Sequence, residues 1–200
     1  MTLALLLVGV LVASEEVDAP PEPLRYGFTG ALGYGPAVGN ASDFLDDTWS
    51  TDFNVFLEKG RFRGGIGLEF HRFRTVPPVP FEEISAVPFY LYGTFSPWPQ
   101  ARVRPYLQGR LGLTRLHDQL TLDRAAPGVS EWSYGVAPGV EIDLNRFVAL
   151  DLSLSYLGQQ ANGLPLGGGA SLDSLNAFTG RVGLTWRAFG RAGSPGYAGP

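Results

Sequence analysis

Along most of this chain, bulky apolar residues alternate one by one with small or polar ones. The clearest run lies between Arg146 and Phe189. Val148, Leu150, Leu152, Leu154 and Tyr156 alternate there with Ala149, Asp151, Ser153 and Ser155. After a polar stretch, Phe178, Val182, Leu184 and Trp186 alternate with Thr179, Arg181, Gly183, Thr185 and Arg187. A period of two sends successive side chains to opposite faces of a strand. One face of this pair is greasy; the other carries small residues and a few charges.

The pattern recurs upstream. Tyr26 to Tyr34 forms a first strand, with Tyr26, Phe28, Leu32 and Tyr34 on one face. Trp49 to Glu58 forms a second, with Phe53, Val55 and Leu57 opposite Asp52, Asn54 and Glu58. Lys59-Gly60-Arg61 is a tight turn into a third, Phe62 to Phe73, where Ile66, Leu68 and Phe70 alternate with Arg63, Glu69 and His71. Ile84 to Phe95 is the fourth. It contains Pro88, which a central ladder tolerates poorly, so a bulge is expected there. Val103 to Arg115 and Trp132 to Leu144 complete the set before the hairpin already described.

This gives about eight strands of roughly ten residues, the length a tilted strand needs to cross a bilayer. The connections alternate between long and short. The long ones are Pro36 to Asp47, Thr75 to Glu83, His117 to Glu131 and Gly158 to Ser174. An up-and-down meander sorts such connections to opposite rims. Trp49 and Trp132 then fall at the long-loop rim, and Trp98 and Trp186 at the short-turn rim, as two interfacial girdles require. The predicted fold is all-β: an up-and-down antiparallel transmembrane β-barrel.

Composition sharpens this. Charged residues make up 17% of the 200 residues, against about 25% in soluble domains. Lys59 is the only lysine, whereas a soluble sheet normally coats its outer face with Lys and Glu. The net charge of −4 and the lack of a basic run argue against nucleic acid. The absence of cysteine removes disulfides, thiol catalysis and thiolate metal sites.

Leu3 to Ala13 is an apolar run too short to span a bilayer as a helix. It fits the core of a signal peptide, with cleavage after Ala13 or Ala19, although Met1 and Thr2 supply no positive charge. The competing reading is a buried N-terminal element. The predicted organisation is a signal peptide over 1–19, a barrel domain over 20–189 and a disordered tail over 190–200.

On these residues the chain resembles the small outer-membrane β-barrels of Gram-negative bacteria, the OmpA transmembrane-domain, OmpX- and OmpW-like proteins. Pro105-Tyr106-Leu107-Gln108-Gly109-Arg110-Leu111-Gly112-Leu113 and Tyr134-Gly135-Val136-Ala137-Pro138-Gly139-Val140-Glu141 carry the likeness. Arg181, Gly183, Trp186 and Ala188 are similar to that family's C-terminal assembly signal, departing from it where Ala188 replaces an aromatic residue. The resemblance implies an outer-membrane location, contact with membrane lipid and lipopolysaccharide, insertion by the barrel-assembly machinery, and a monomer. It also admits enzymes, since some barrels of this architecture cleave lipid A acyl chains or peptides.

Candidate chemistry is sparse. The expected register points Arg63, Glu69, His71, Arg110, Glu141, Asp151 and Arg181 into the lumen, with Asp52, Arg104, Asp143 and Arg187. Mixed signs allow every buried charge a partner, so a structural ion-pair network filling the lumen is expected. The functional alternative is a narrow pore for small solutes. A catalytic site would need a nucleophile beside a base, yet the histidines are His71, near Glu69, and His117, beside Asp118. No Gly-x-Ser-x-Gly occurs, and two histidines make a poor metal site. No enzyme activity and no cofactor are expected. The sequence therefore points to a structural or surface-binding protein of the cell envelope, its recognition carried by the long loops. A lipocalin-like soluble carrier is the remaining alternative. It would turn Leu150, Leu152, Leu154, Val182 and Leu184 inward.

Overall fold

The computed structural model of the chain describes residues 24–76, 81–120, 130–167 and 170–189. The expected signal peptide and tail lie outside the described residues. So does most of the loop expected between His117 and Glu131.

Eight strands close into one antiparallel barrel, each paired with its neighbours in sequence. They are β1 (Arg25–Val38), β2 (Leu45–Lys59), β3 (Phe62–Thr75), β4 (Phe81–Phe95), β5 (Val103–Leu120), β6 (Ser130–Asp143), β7 (Val148–Gly167) and β8 (Ala170–Phe189). β1 and β8 close the ring from Arg25↔Phe189 to Val38↔Asn176. Closure pairs every strand edge, which a bilayer demands because its interior offers no water to unpaired backbone groups. A 3-10 helix, Gly39–Asp43, joins β1 to β2.

The sidedness is the one the alternation implies. Leu154, Val182 and Leu184 stand on the outer wall with 53%, 57% and 54% of their surface exposed. This excludes the lipocalin arrangement, which needs them inside. Trp49, Trp132 and Trp98 are exposed at the two rims, and Trp186 stacks on Phe28 at 5.5 Å between ring centres. Inward residues are small or polar, and glycines make room for large ones. A side chain on Gly67 would strike the ring of Tyr90, and one on Gly139 the ring of Tyr106.

Two expectations need correction. The strands are longer than the alternation suggested. β7 runs to Gly167 and β8 starts at Ala170, so Gly158 to Ser174 is mostly paired hairpin instead of loop. Its Gly, Asn and Gln content marks the end of the apolar outer band, and the backbone ladder resumes past register shifts between Gln160 and Leu164 and between Pro165 and Gly167. Pro88 brings no bulge. Leu68↔Phe89 and His71↔Ala86 keep one register on either side of it, and Pro88 pairs with Thr114 on β5. A strand residue directs its N–H to one neighbour only, so proline costs a bond on one side and leaves the other ladder whole.

Candidate functional site

The expected site residues meet in the lumen, and its contents change along the axis. At the short-turn end, Arg63 reaches from β3 across to β6. Its two terminal nitrogens donate to Glu141 Oε1 and Oε2 at 2.6 and 2.9 Å. Its Nε and Nη2 donate to Glu58 Oε2 at 3.0 and 2.6 Å. Paired donation of this kind is what a planar guanidinium does best. Glu141 also meets Arg187, and Arg104 at 3.6 Å. Asp143 holds Arg104 at 2.5 Å and Arg187 at 3.1 Å. Arg25 joins through Glu58 at 3.4 Å. The network thus ties β1, β2, β3, β5, β6 and β8 together, with Glu58 and Glu141 as hubs.

The middle of the lumen is held by shorter links. Arg181 on β8 pairs with Asp52 on β2, which also accepts from Tyr90. Tyr92 donates to Asn54 Oδ1 at 2.9 Å. Asp151 takes a tyrosine as partner: Tyr106 Oη donates to its carboxylate at 2.9 and 3.1 Å. Higher up, Arg110 on β5 pairs with Glu69 on β3 and donates to Ser155 Oγ on β7 at 2.6 Å. His71 Nε2 lies 3.1 Å from Glu69 Oε1, and its Nδ1 lies 3.5 Å from Thr48 Oγ1.

At the long-hairpin end the polar lining stops. Ala37, Ala41, Leu45, Phe73, Ile84, Ala86, Ala161, Leu175 and Ala177 form one buried apolar cluster, with Phe44 against it. The 3-10 helix tucks Ala41 into this roof, and Val76 N donates to Phe44 O at 2.8 Å, tying β3 to the first hairpin. A lumen polar throughout was the expectation, and the roof corrects it. The signal was partly visible: Phe73 and Ile84 share the inward parity of His71 and Tyr90. Leu45 was hidden by a register shift between Leu45 and Thr48.

The arrangement bears on catalysis. Glu69, His71 and Thr48 form an acid, imidazole and hydroxyl in series, the connectivity of a nucleophilic triad. All three are fully buried, under Phe73 and Ile84. A nucleophile works only where substrate reaches it. The side chain of His117 lies outside what is described. Among the described residues no group of three or more His, Cys, Asp or Glu is placed to hold a metal ion.

No protein-family model matches the chain, and no curated protein does. Solved structures do. Neisserial surface protein A (NspA) superposes with a TM-score of 0.60 at 16% identity, covering 81% of this chain and 96% of that one. The fold is that of a small outer-membrane β-barrel. The outer-membrane enzyme PagL gives 0.56 at 9% identity, covering 78% of this chain and 97% of PagL. OprG of Pseudomonas aeruginosa gives 0.51 at 10% identity over 85% and 98%. An apolar outer wall around a closed barrel belongs in a bilayer, and PagL and OprG are outer-membrane proteins. Since PagL is an enzyme, the fold by itself leaves catalysis open.

Proposed function

We propose that this outer-membrane barrel is structural or surface-binding, with a lumen plugged by its own side chains. One observation carries the reading: Arg63 and Glu141 bridge β3 and β6 across the lumen with two hydrogen bonds, below a roof of Phe73, Ile84, Leu45 and Leu175. An ion needs a continuous wet path, and both ends oppose one. The burial of His71 and Glu69 supports a non-enzymatic role. Recognition then falls to the long hairpins, which extend β7 and β8 past the aromatic band. Their partner is a surface ligand or lipopolysaccharide.

The same reading keeps 1–19 as an export signal, the barrel as a monomer, and Arg181, Gly183, Trp186 and Ala188 as the signal for the assembly machinery. The direct test is a planar lipid bilayer. The folded protein should show no discrete conductance steps, while its unheated band still migrates apart from the boiled one on a gel. Regular steps would establish the pore instead. One observation favours that second reading. Ser50 Oγ, Thr114 Oγ1 and both amide atoms of Gln159 are buried between network and roof without a partner among the described residues, and such atoms call for water.

A further inference from the structure

The outer wall of β1, β2 and β3 is not evenly covered. A groove of about 530 Å3 runs over it, lined by Phe28, Phe53, Leu57, Gly64, Ile66 and Trp186 among others. That volume lies in the range of ligand sites, roughly 300–1,000 Å3. Its lining is nearly all apolar. Leu57 and Gly64 are paired across β2 and β3 in its floor. A side chain on Gly64 would point into open space, its nearest neighbour being Tyr92 O at 3.9 Å. The missing side chain is what makes the floor low there.

The lower end of the groove is cationic. Lys59 follows Leu57 by two positions on the same face, ~7 Å nearer the rim. Arg61 lies in the adjoining turn. Both are exposed, and neither has a carboxylate partner among the described residues. The acids nearest in sequence are committed elsewhere: Glu58 faces the lumen and is engaged by Arg63 and Arg25. Among the described residues, the other short turns carry exposed Arg102 and Arg146, with Asp143 part-exposed but engaged by Arg104 and Arg187. The opposite rim is mixed, exposing Asp43, Asp46 and Asp173 together with Arg72, Arg74 and Arg115.

From this juxtaposition we infer that the groove holds one acyl chain of an anionic phospholipid, with its phosphodiester head on Lys59 and Arg61. Tail and head chemistry lie on one face in the order a lipid presents them. A soluble anion would use the cations and ignore the groove; a neutral lipid would use the groove and ignore the cations. Short turns face the periplasm in such barrels, so the lipid belongs to the inner leaflet. The inference rests on the outer-membrane reading. It adds a bound lipid class and a place for it.

The test is native mass spectrometry of the full folded chain in detergent. It is titrated with dimyristoyl-phosphatidylglycerol, with dimyristoyl-phosphatidylcholine of equal chain length, and with glycerol phosphate. Wild type should retain phosphatidylglycerol well above phosphatidylcholine, and glycerol phosphate weakly. K59Q/R61Q should lower phosphatidylglycerol affinity roughly 30-fold, the effect of two cations beside an anionic head, and leave phosphatidylcholine unchanged. Gly64→Leu should weaken both lipids by filling the floor. R72Q/R74Q at the other rim should change neither. Equal retention of the two lipids by wild type overturns the proposal, as does an unchanged affinity in K59Q/R61Q. Glycerol phosphate binding as tightly as phosphatidylglycerol would reduce the site to a bare anion patch and overturn it too. Gel migration before and after boiling, run on each variant, separates these outcomes from loss of the barrel.

Discussion

The two ends of the lumen are lined by strands of the same inward parity, yet they are filled by opposite chemistries. The short-turn end is occupied by Arg63, Arg104, Arg187, Glu58 and Glu141. The long-hairpin end is occupied by Phe73, Ile84, Leu45, Leu175 and a set of alanines. Ion pairs are directional. A guanidinium that reaches from β3 to β6 fixes the distance and register of strands that share no ladder. Apolar packing is not directional, and it tolerates substitution as long as volume is kept. The charged end therefore ties the register of distant strands, and the roof fills the opposite end with apolar side chains.

The largest expected effect is at the hub of the charged end. Glu141→Ala leaves Arg63, Arg104 and Arg187 without their common carboxylate. Breaking a buried pair by removing one partner costs about 3–5 kcal/mol. A urea titration followed by the gel shift of the folded barrel measures it. A loss under about 1 kcal/mol would show that Glu58 and Asp143 suffice, and the directional role would fall to them.

At the roof, Phe73→Ala should cost about 3 kcal/mol, the lower end for deleting a buried phenyl ring. Stability is not the sharper readout here. F73S/I84S/L175S should admit water at the long-hairpin end, and Glu141→Ala should loosen the other. Conductance in planar bilayers tells which barrier stops ions. Steps from the serine variant alone would make the roof the barrier; steps from Glu141→Ala alone would assign that role to the ion network.

The difference between the two ends also explains what could be read in advance. The inward placement of the lumen charges was legible because Arg63, Glu69, Glu141, Arg181 and Arg187 each sit at alternating positions inside strands with strong apolar partners. Strand parity alone sends them inward. Their partners were not legible, since Arg63 finds Glu141 three strands away across the lumen. Asp151 was expected in an ion pair and instead takes Tyr106, whose ring fits over Gly139. The roof was obscured for a different reason. Ala37, Ala161 and Leu175 lie on inward positions of strand ends that pass beyond the bilayer. There the outer face turns polar, and the contrast that marks a strand disappears. Gly, Asn and Pro in these stretches read as loop, although the ladder persists.

Between the two ends, Tyr92 offers a smaller probe. Tyr92→Phe removes the donor to Asn54 and leaves the ring in place, so the expected loss is about 1 kcal/mol, the usual net worth of one hydrogen bond. A markedly larger loss would place the middle of the lumen in the same cooperative network as Glu141.

The smallest effect belongs to Arg25, and it tests where the charged end stops being structural. Its pair with Glu58 is 3.4 Å long, and its side chain is 30% exposed at the rim. Glu58 keeps Arg63 when Arg25 is lost. Pairs in contact with water contribute about 0–1 kcal/mol because solvent screens them and ordering two long side chains costs entropy. Arg25→Ala should therefore shift the urea midpoint barely at all, and high salt should erase what shift there is. A loss approaching that of Glu141→Ala would mean that solvent does not reach this rim. The network would then be stiff up to the last residue pair that closes β1 on β8.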